Sequence, residues 1–206
     1  MKKFIFLILL LISTFLTAQN FGGGFSIALN GSQVSGDQLS GFDKFGVRTG
    51  VFTFYNISEQ SKLKLELVFS QKGSRKNPTS EDPTSFLLKL NYVEIPLLFE
   101  YKLPIKHLYV FVGLAGGILT KTKDNIWDEN GLVVMLEPFY KPFYKFEFSC
   151  LVGFNFNFNE SHQMFFELDQ SILPIRKHYS GATYYFNRGV YNTVITLGYA
   201  FTFPQK

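Results

Sequence analysis

The 206-residue sequence predicts an all-β fold: a closed, antiparallel, up-and-down transmembrane β-barrel of eight strands, or ten if one central hairpin is embedded. Three observations predict it. Tyr191, Thr193, Ile195, Leu197, Tyr199, Phe201 and Phe203 alternate with Asn192, Val194, Thr196, Gly198, Ala200 and Thr202. Extended, that stretch presents one large apolar face and one small, mostly polar face. It has the roughly 9–11 residues that a tilted strand needs to cross a bilayer, more than the usual strand of about five or six. Short and long gaps between such stretches alternate, as turns and loops do in transmembrane barrels. Aromatic residues make up 18% of the chain, dominated by Phe, an excess that a lipid-facing girdle would occupy.

The first element is a targeting segment. Lys2 and Lys3 form a positive n-region, Phe4 to Ile12 an apolar core, and Ser13 to Ala18 the approach to a cut. This pattern is a secretory signal peptide, residues 1–18, cleaved after Ala18, although Leu16 at the −3 position is not the ideal small residue. No Cys follows the apolar core, which argues against a lipoprotein. The barrel domain is expected over residues 19–206. No later run reaches the roughly 18 apolar residues of a membrane helix.

Eight stretches then alternate: Gly22–Leu29, Gly46–Tyr55, Leu63–Lys72, Phe86–Lys102, Leu108–Leu119, Phe143–Phe156, Gln163–Leu173 and Gly189–Phe203. Short turns are expected at Asn56–Lys62, Leu103–His107 and Asn157–His162, facing the periplasm. Long loops are expected at Asn30–Phe45, Gly73–Ser85, Thr120–Pro142 and Pro174–Arg188, facing outward from the cell. The third loop holds Asn130-Gly131 between apolar flanks, a hairpin signal that would extend the strands beyond the membrane. Embedded instead, it would make ten strands, but Lys121, Lys123, Asp124, Asp128 and Glu129 crowd its first arm.

The faces agree from strand to strand. Leu63, Leu65, Leu67 and Phe69 oppose Lys64, Glu66, Val68 and Ser70; Val93, Ile95, Leu97, Phe99 and Tyr101 oppose Tyr92, Glu94, Pro96, Leu98 and Glu100. Phe146, Phe148, Cys150, Val152, Phe154 and Phe156 oppose Glu147, Ser149, Leu151, Gly153 and Asn155. Met164, Phe166 and Leu168 oppose Phe165, Glu167 and Asp169. A soluble periplasmic barrel binding an apolar ligand would turn the apolar face inward and remains the alternative. Pro96, which cannot donate to a ladder, predicts a bulge or weak point. Gly22–Gly24 lacks a following Lys-Ser/Thr, so it is no phosphate loop and instead eases curvature where the barrel closes.

Leu90-Asn91-Tyr92-Val93-Glu94-Ile95-Pro96-Leu97-Leu98 resembles the fourth-strand motif of PorT-like outer-membrane β-barrel proteins of Bacteroidetes. Leu65-Glu66-Leu67-Val68-Phe69-Ser70-Gln71-Lys72-Gly73 is similar to that family's third strand, and Gly22-Gly23-Gly24-Phe25 and Leu197-Gly198-Tyr199-Ala200-Phe201 fit its ends. The resemblance implies a small closed barrel of the outer-membrane OmpA/OmpX type. It also implies the barrel-assembly machinery as a partner, and it links the chain only loosely to protein secretion. Pro204-Gln205-Lys206 departs from the usual ending on an aromatic, leaving Phe203 as the assembly terminus.

Removing Lys2 and Lys3 takes the formal charge from +4 to +2, so the pI near 9.0 supports no nucleic-acid partner. The lone Cys150 forms no internal disulfide and serves as a small hydrophobe. Three scattered histidines and one cysteine lack metal-ligand spacing, and no cofactor is implied. An envelope enzyme would need a Ser–His pair in reach, but Ser161 and His162 are neighbours whose extended side chains leave opposite faces. Two groups of residues remain as candidate sites. Glu66, Glu94, Glu100, Glu147, Glu167 and Asp169, with Arg48 and Lys64, face the interior. They form either an ion or proton path or a plug of paired charges; the narrow interior favours the plug. Arg75, Lys76, Arg176, Lys177, Tyr179, Tyr184 and Tyr185 make the outer loops basic and aromatic, suited to lipopolysaccharide or an envelope protein partner. The function expected is a structural or partner-binding barrel, within a secretion or envelope complex, with a narrow channel as the alternative.

Overall fold

The computed structural model describes residues 21–35, 41–80, 82–128, 131–133, 142–177 and 189–204. The expected signal peptide therefore lies outside the described residues, as does the end of the chain after Pro204. Among the described residues nine strands follow in order: β1 Phe21–Ser35, β2 Lys44–Asn56, β3 Ser61–Lys76, β4 Ser85–Lys102, β5 Leu108–Asp128, β6 Gly131–Val133, β7 Phe146–Asn157, β8 His162–Ser171 and β9 Tyr191–Thr202. Each main strand pairs antiparallel with its chain neighbour, and β9 returns to pair with β1 (Leu29 opposite Leu197), closing a ring. The ring has eight strands. The short β6 pairs only with the far end of β5, with Asp128 opposite Gly131, so it extends β5 outside the ring rather than adding staves to it; Asn130 lies outside the described residues.

Strand lengths exceed the sequence reading at the loop ends. β1 continues from Leu29 to Ser35, β3 runs to Lys76 and β5 to Asp128. Their added residues are mostly polar, because beyond the membrane the outward face meets water. The backbone ladder continues there while the apolar alternation stops, so a reading of hydrophobic period ends too early. β7 is shorter, starting at Phe146 rather than Phe143. Upstream of it the Tyr144 N–H donates to the Ile175 carbonyl (2.8 Å) instead of joining the ladder.

The apolar face is outside. Ile95, Leu97, Val112, Val152 and Leu197 are about half exposed, while Glu94, Leu98, Glu147 and Thr196 on alternate positions are buried. Pro96 produces a weak point without a bulge. The β3–β4 register is the same on both sides, Leu65 opposite Leu97 and Val68 opposite Glu94, but the pairs between are missing. The register shift of β4 lies instead against β5, between Asn91 and Tyr92. Glycine is required at the closing seam: a Cβ on Gly24 would stand 1.9 Å from the Phe201 carbonyl oxygen.

Candidate functional site: the barrel lumen

An eight-stranded barrel has room inside for little beyond side chains, and this lumen is filled in layers. At the end bearing the short turns, Ala28, Phe52, Phe54, Phe165 and Ala200 form a buried aromatic floor. Leu98, Phe111, Ala115 and Leu151 pack beside it on the neighbouring strands. At the end bearing the long loops, Val34, Leu88, Leu90, Tyr92, Ile175 and Val190 make an apolar cap, with Phe86, Leu119 and Phe143 against it. Ile175 reaches the cap from the β8–β9 connection. Its N–H donates to the Val190 carbonyl, and an Arg176–Val190 bridge holds that segment over the barrel.

From the level of the floor up toward the cap runs a belt of buried charge, in two parts. In the lower part, Arg48 Nη2 meets Glu66 Oε2 at 2.8 Å and Glu167 Oε1 at 3.6 Å. Lys64 Nζ meets Glu66 at 2.7 Å and Glu100 at 3.6 Å, and Lys62 Nζ meets Glu100 at 2.9 Å. There the cations Arg48, Lys62 and Lys64 balance Glu66, Glu100 and Glu167. Each cation also faces a ring: Lys64 over Phe52 at 4.3 Å, Lys62 over Phe54 at 5.1 Å, Arg48 over Phe165 at 5.7 Å. Such contacts strengthen when desolvated.

The upper part is unbalanced. Lys72 Nζ, fully buried, sits among Glu94 Oε1 at 2.5 Å, Asp169 Oδ2 at 2.7 Å and Glu147 Oε2 at 3.4 Å. Asn192 Nδ2 donates to the second oxygen of Glu147 at 3.0 Å. Between the two parts, Asn30 Nδ2 donates to Ser70 Oγ at 3.0 Å and to the Gln71 carbonyl, while its Oδ1 accepts from Thr196 Oγ1 at 2.9 Å. Lys72 ties β3 to β7 and β8 across the ring, and Asn30 ties β1 to its neighbour β9 and to β3.

All eight interior residues named from the sequence lie in this belt. Two members were missed, Lys62 and Lys72. Both stand on the same alternate positions as Lys64, Glu66 and Ser70, so extending that alternation one step each way would have found them.

The outer residues do not converge in the same way. Arg75 is exposed at the end of β3. Lys76 pairs with Asp82 and also donates to Thr84 Oγ1 (2.8 Å). The hydrogen bond from Lys76, foremost, and those from the Thr84 hydroxyl and N–H hold the Asp82 carboxyl down at about 2. A pocket of about 280 Å³ opens beside them, lined by Arg75, Lys76, Asn77, Pro78 and Phe86 among others. Arg176 lies over the Phe143 ring at 4.4 Å, against the cap, and Lys177 is exposed. Tyr179, Tyr184 and Tyr185 lie outside the described residues, as does His178. His162 Nδ1 is hydrogen-bonded to the Tyr199 hydroxyl at the periplasmic rim, and Cys150 is exposed on the outward face. Among the described residues no group of three or more His, Cys, Asp or Glu is placed to hold a metal ion.

Residues 17–201 match the family described as "Outer membrane protein beta-barrel domain". The chain belongs to that family. It is an integral barrel of the outer membrane, its apolar band against lipid. Among solved structures it is similar to Ail, the attachment invasion locus protein of Yersinia pestis, with 11% identity and a TM-score of 0.47 over 90% of this chain and 99% of that one. It is also similar to Neisserial surface protein A, with 9% identity, a TM-score of 0.47 and coverage of 89% and 96%. A third is the N-terminal barrel of Pseudomonas aeruginosa OprF, with 14% identity, a TM-score of 0.41 and coverage of 88% and 99%. No curated protein matches the chain.

Proposed function

We propose that this barrel is a PorT-like, non-enzymatic scaffold of the cell envelope, one that binds a protein partner rather than passing solutes. The observation that carries this reading is the filled lumen: aromatic floor, paired-charge belt and apolar cap together occupy the interior. Buried charges held in ion pairs with good geometry tie strands together and leave little room for a hydrated ion. The β3 and β4 motifs support the PorT-like assignment and with it a place in a secretion or envelope complex. A barrel whose interior is spent on rigidity has its outer loops and periplasmic turns left for recognition, including Arg75, Lys76, Arg176, Lys177, Tyr179, Tyr184 and Tyr185.

The test is photo-cross-linking in intact cells from single positions in the loops (Arg75, Lys177) and turns (Glu59, Lys106), with lipid-facing Leu197 as background. A discrete envelope protein captured from loop or turn positions and not from Leu197 is the expected result. Capture at background level from every loop and turn position would refute partner binding.

A further inference from the structure

The outward face of β3, β4 and β5 changes character in three rows. Phe69, Val93 and Ile118 are side by side in the apolar band. One pleat further out stand Gln71, Asn91 and Lys121. One pleat beyond that stand Gly73, Lys89 and Lys123, with Arg75 on the next outward position of β3. The rows are about 6–7 Å apart, two residues of strand rise. The basic row therefore begins within one polar row of the apolar edge, at headgroup height. Arg75, Lys89, Lys121 and Lys123 are all exposed.

One feature of this face runs against its own stability. Lys89 and Lys123 are directly opposite one another, an arrangement in which like charges repel. A β-bulge creates it. Below the register shift, Ile118 faces outward opposite Val93; by unbroken alternation Thr120 and Thr122 would follow it outward and Lys121 and Lys123 would turn to the inner face. The extra residue, Thr120, whose hydroxyl bonds the Asn91 carbonyl at 2.9 Å, reverses the alternation and brings both lysines outside. Bulges re-aim side chains in this manner. Gly73, at φ 138° with no side chain, leaves the β3 side of Lys89 open toward Arg75. Gln71, Asn91 and Leu87 complete the face, so these rows supply no carboxylate to neutralise it.

We propose that Arg75, Lys89, Lys121 and Lys123 form a binding site for the phosphate of a phosphorylated glycolipid in the outer leaflet. The acyl chains of that lipid lie along Phe69, Val93 and Ile118 below. A divalent oxyanion between Lys89 and Lys123 turns the like-charge repulsion into two charge-assisted hydrogen bonds. The apolar row next to it selects an amphiphile over a free ion. This site rests on the outer-membrane location alone and stands whether or not the barrel has a protein partner.

The experiment refolds the barrel into phosphatidylcholine vesicles containing either bisphosphorylated lipid A or its enzymatically dephosphorylated form. It then measures the lipid A that stays with the protein after mild detergent extraction. Wild type is expected to retain the phosphorylated form selectively. The K89Q/K123Q double variant is expected to retain it roughly twenty- to thirtyfold less well, about fivefold per lysine removed. A K102Q/K106Q control at the periplasmic end should behave as wild type. A second measurement needs no variant: amine acylation of wild type should spare Lys89 and Lys123 only in vesicles with phosphorylated lipid A. Equal retention of the two lipid forms, or equal acylation in both, overturns the site. Full displacement of lipid A by millimolar inorganic phosphate overturns the choice of a lipid as its source.

Discussion

Lys72→Met removes the one ammonium that the described residues place in the upper charge cluster and leaves Glu94, Asp169 and Glu147 facing one another. At the observed distances of 2.5, 2.7 and 3.4 Å each contact is worth about 5–7 kcal/mol of gross attraction at an effective dielectric near 20. Desolvating four ions cancels most of that, at several kcal/mol per ion. What a substitution exposes is the remainder plus the carboxylates left unpaired. Breaking one partner of a buried pair typically costs about 3–5 kcal/mol, a factor of roughly 10²–10⁴ in the folding equilibrium. The assay is urea unfolding of the barrel in lipid vesicles, scored by the faster gel migration of the unheated folded form. The charge-balanced variant K72M/E94Q/E147Q/D169N leaves no ion in the cluster, and position 147 still offers an acceptor to Asn192 Nδ2. It should recover most of the loss, because replacing a whole buried ionic group costs far less than removing one sign. A Lys72→Met barrel within about 0.5 kcal/mol of wild type, or a charge-balanced variant as unstable as the single one, would refute the view of Lys72 as the tie between β3, β4, β7 and β8.

Other expectations follow from the same geometry. Leu197→Arg places a charge on the lipid face near mid-membrane and should cost about 2–4 kcal/mol; Thr196→Val, one residue away, loses only the bond to Asn30 and should cost about 1 kcal/mol in the same assay. Gly24→Val should cut the yield of the fast-migrating folded form, because its Cβ meets the Phe201 oxygen across the closing seam. Gly116→Val, whose Cβ meets nothing within 4 Å, should fold as wild type. The Asp82 carboxyl should titrate at about 2 by NMR and should rise only part of the way toward its ordinary 3.8 in Lys76→Gln, where the Thr84 bonds remain. Because its folded value is depressed, the stabilisation from the Lys76–Asp82 link is present above the ordinary value and is lost as pH falls toward 2.

The membrane-spanning part of the fold was legible because lipid and lumen impose opposite demands on alternate residues. Glu94 and Glu100 fall inside and Ile95 and Phe99 outside at the period of a strand, and the closing role of Tyr191–Thr202 follows from its lying last in an even count. Above the membrane that contrast vanishes, so β1 and β5 were read too short. The Thr120 bulge left no trace, since Thr and Lys are acceptable on either face in water. The members of the charge belt were legible by parity, but their partners were not. Which carboxylates meet Lys72 depends on the stagger of β3 against β7 and β8 across the ring, and one strand's alternation carries no information about that stagger. The cap was hidden for a similar reason: Ile175 follows Ile172, Leu173 and Pro174 in a stretch without alternation, and the Arg176–Val190 bridge shows why it, and not Ile172 or Leu173, points inward.

The central claim is that the lumen is a packed interior rather than a pathway. Planar-bilayer recording of the purified, refolded barrel tests it most directly, with insertion verified by protease protection of the membrane strands. The account predicts no discrete current steps above the lipid baseline. Stable unitary steps that persist after repurification and change with substitutions at Lys72 or Arg48 would contradict it.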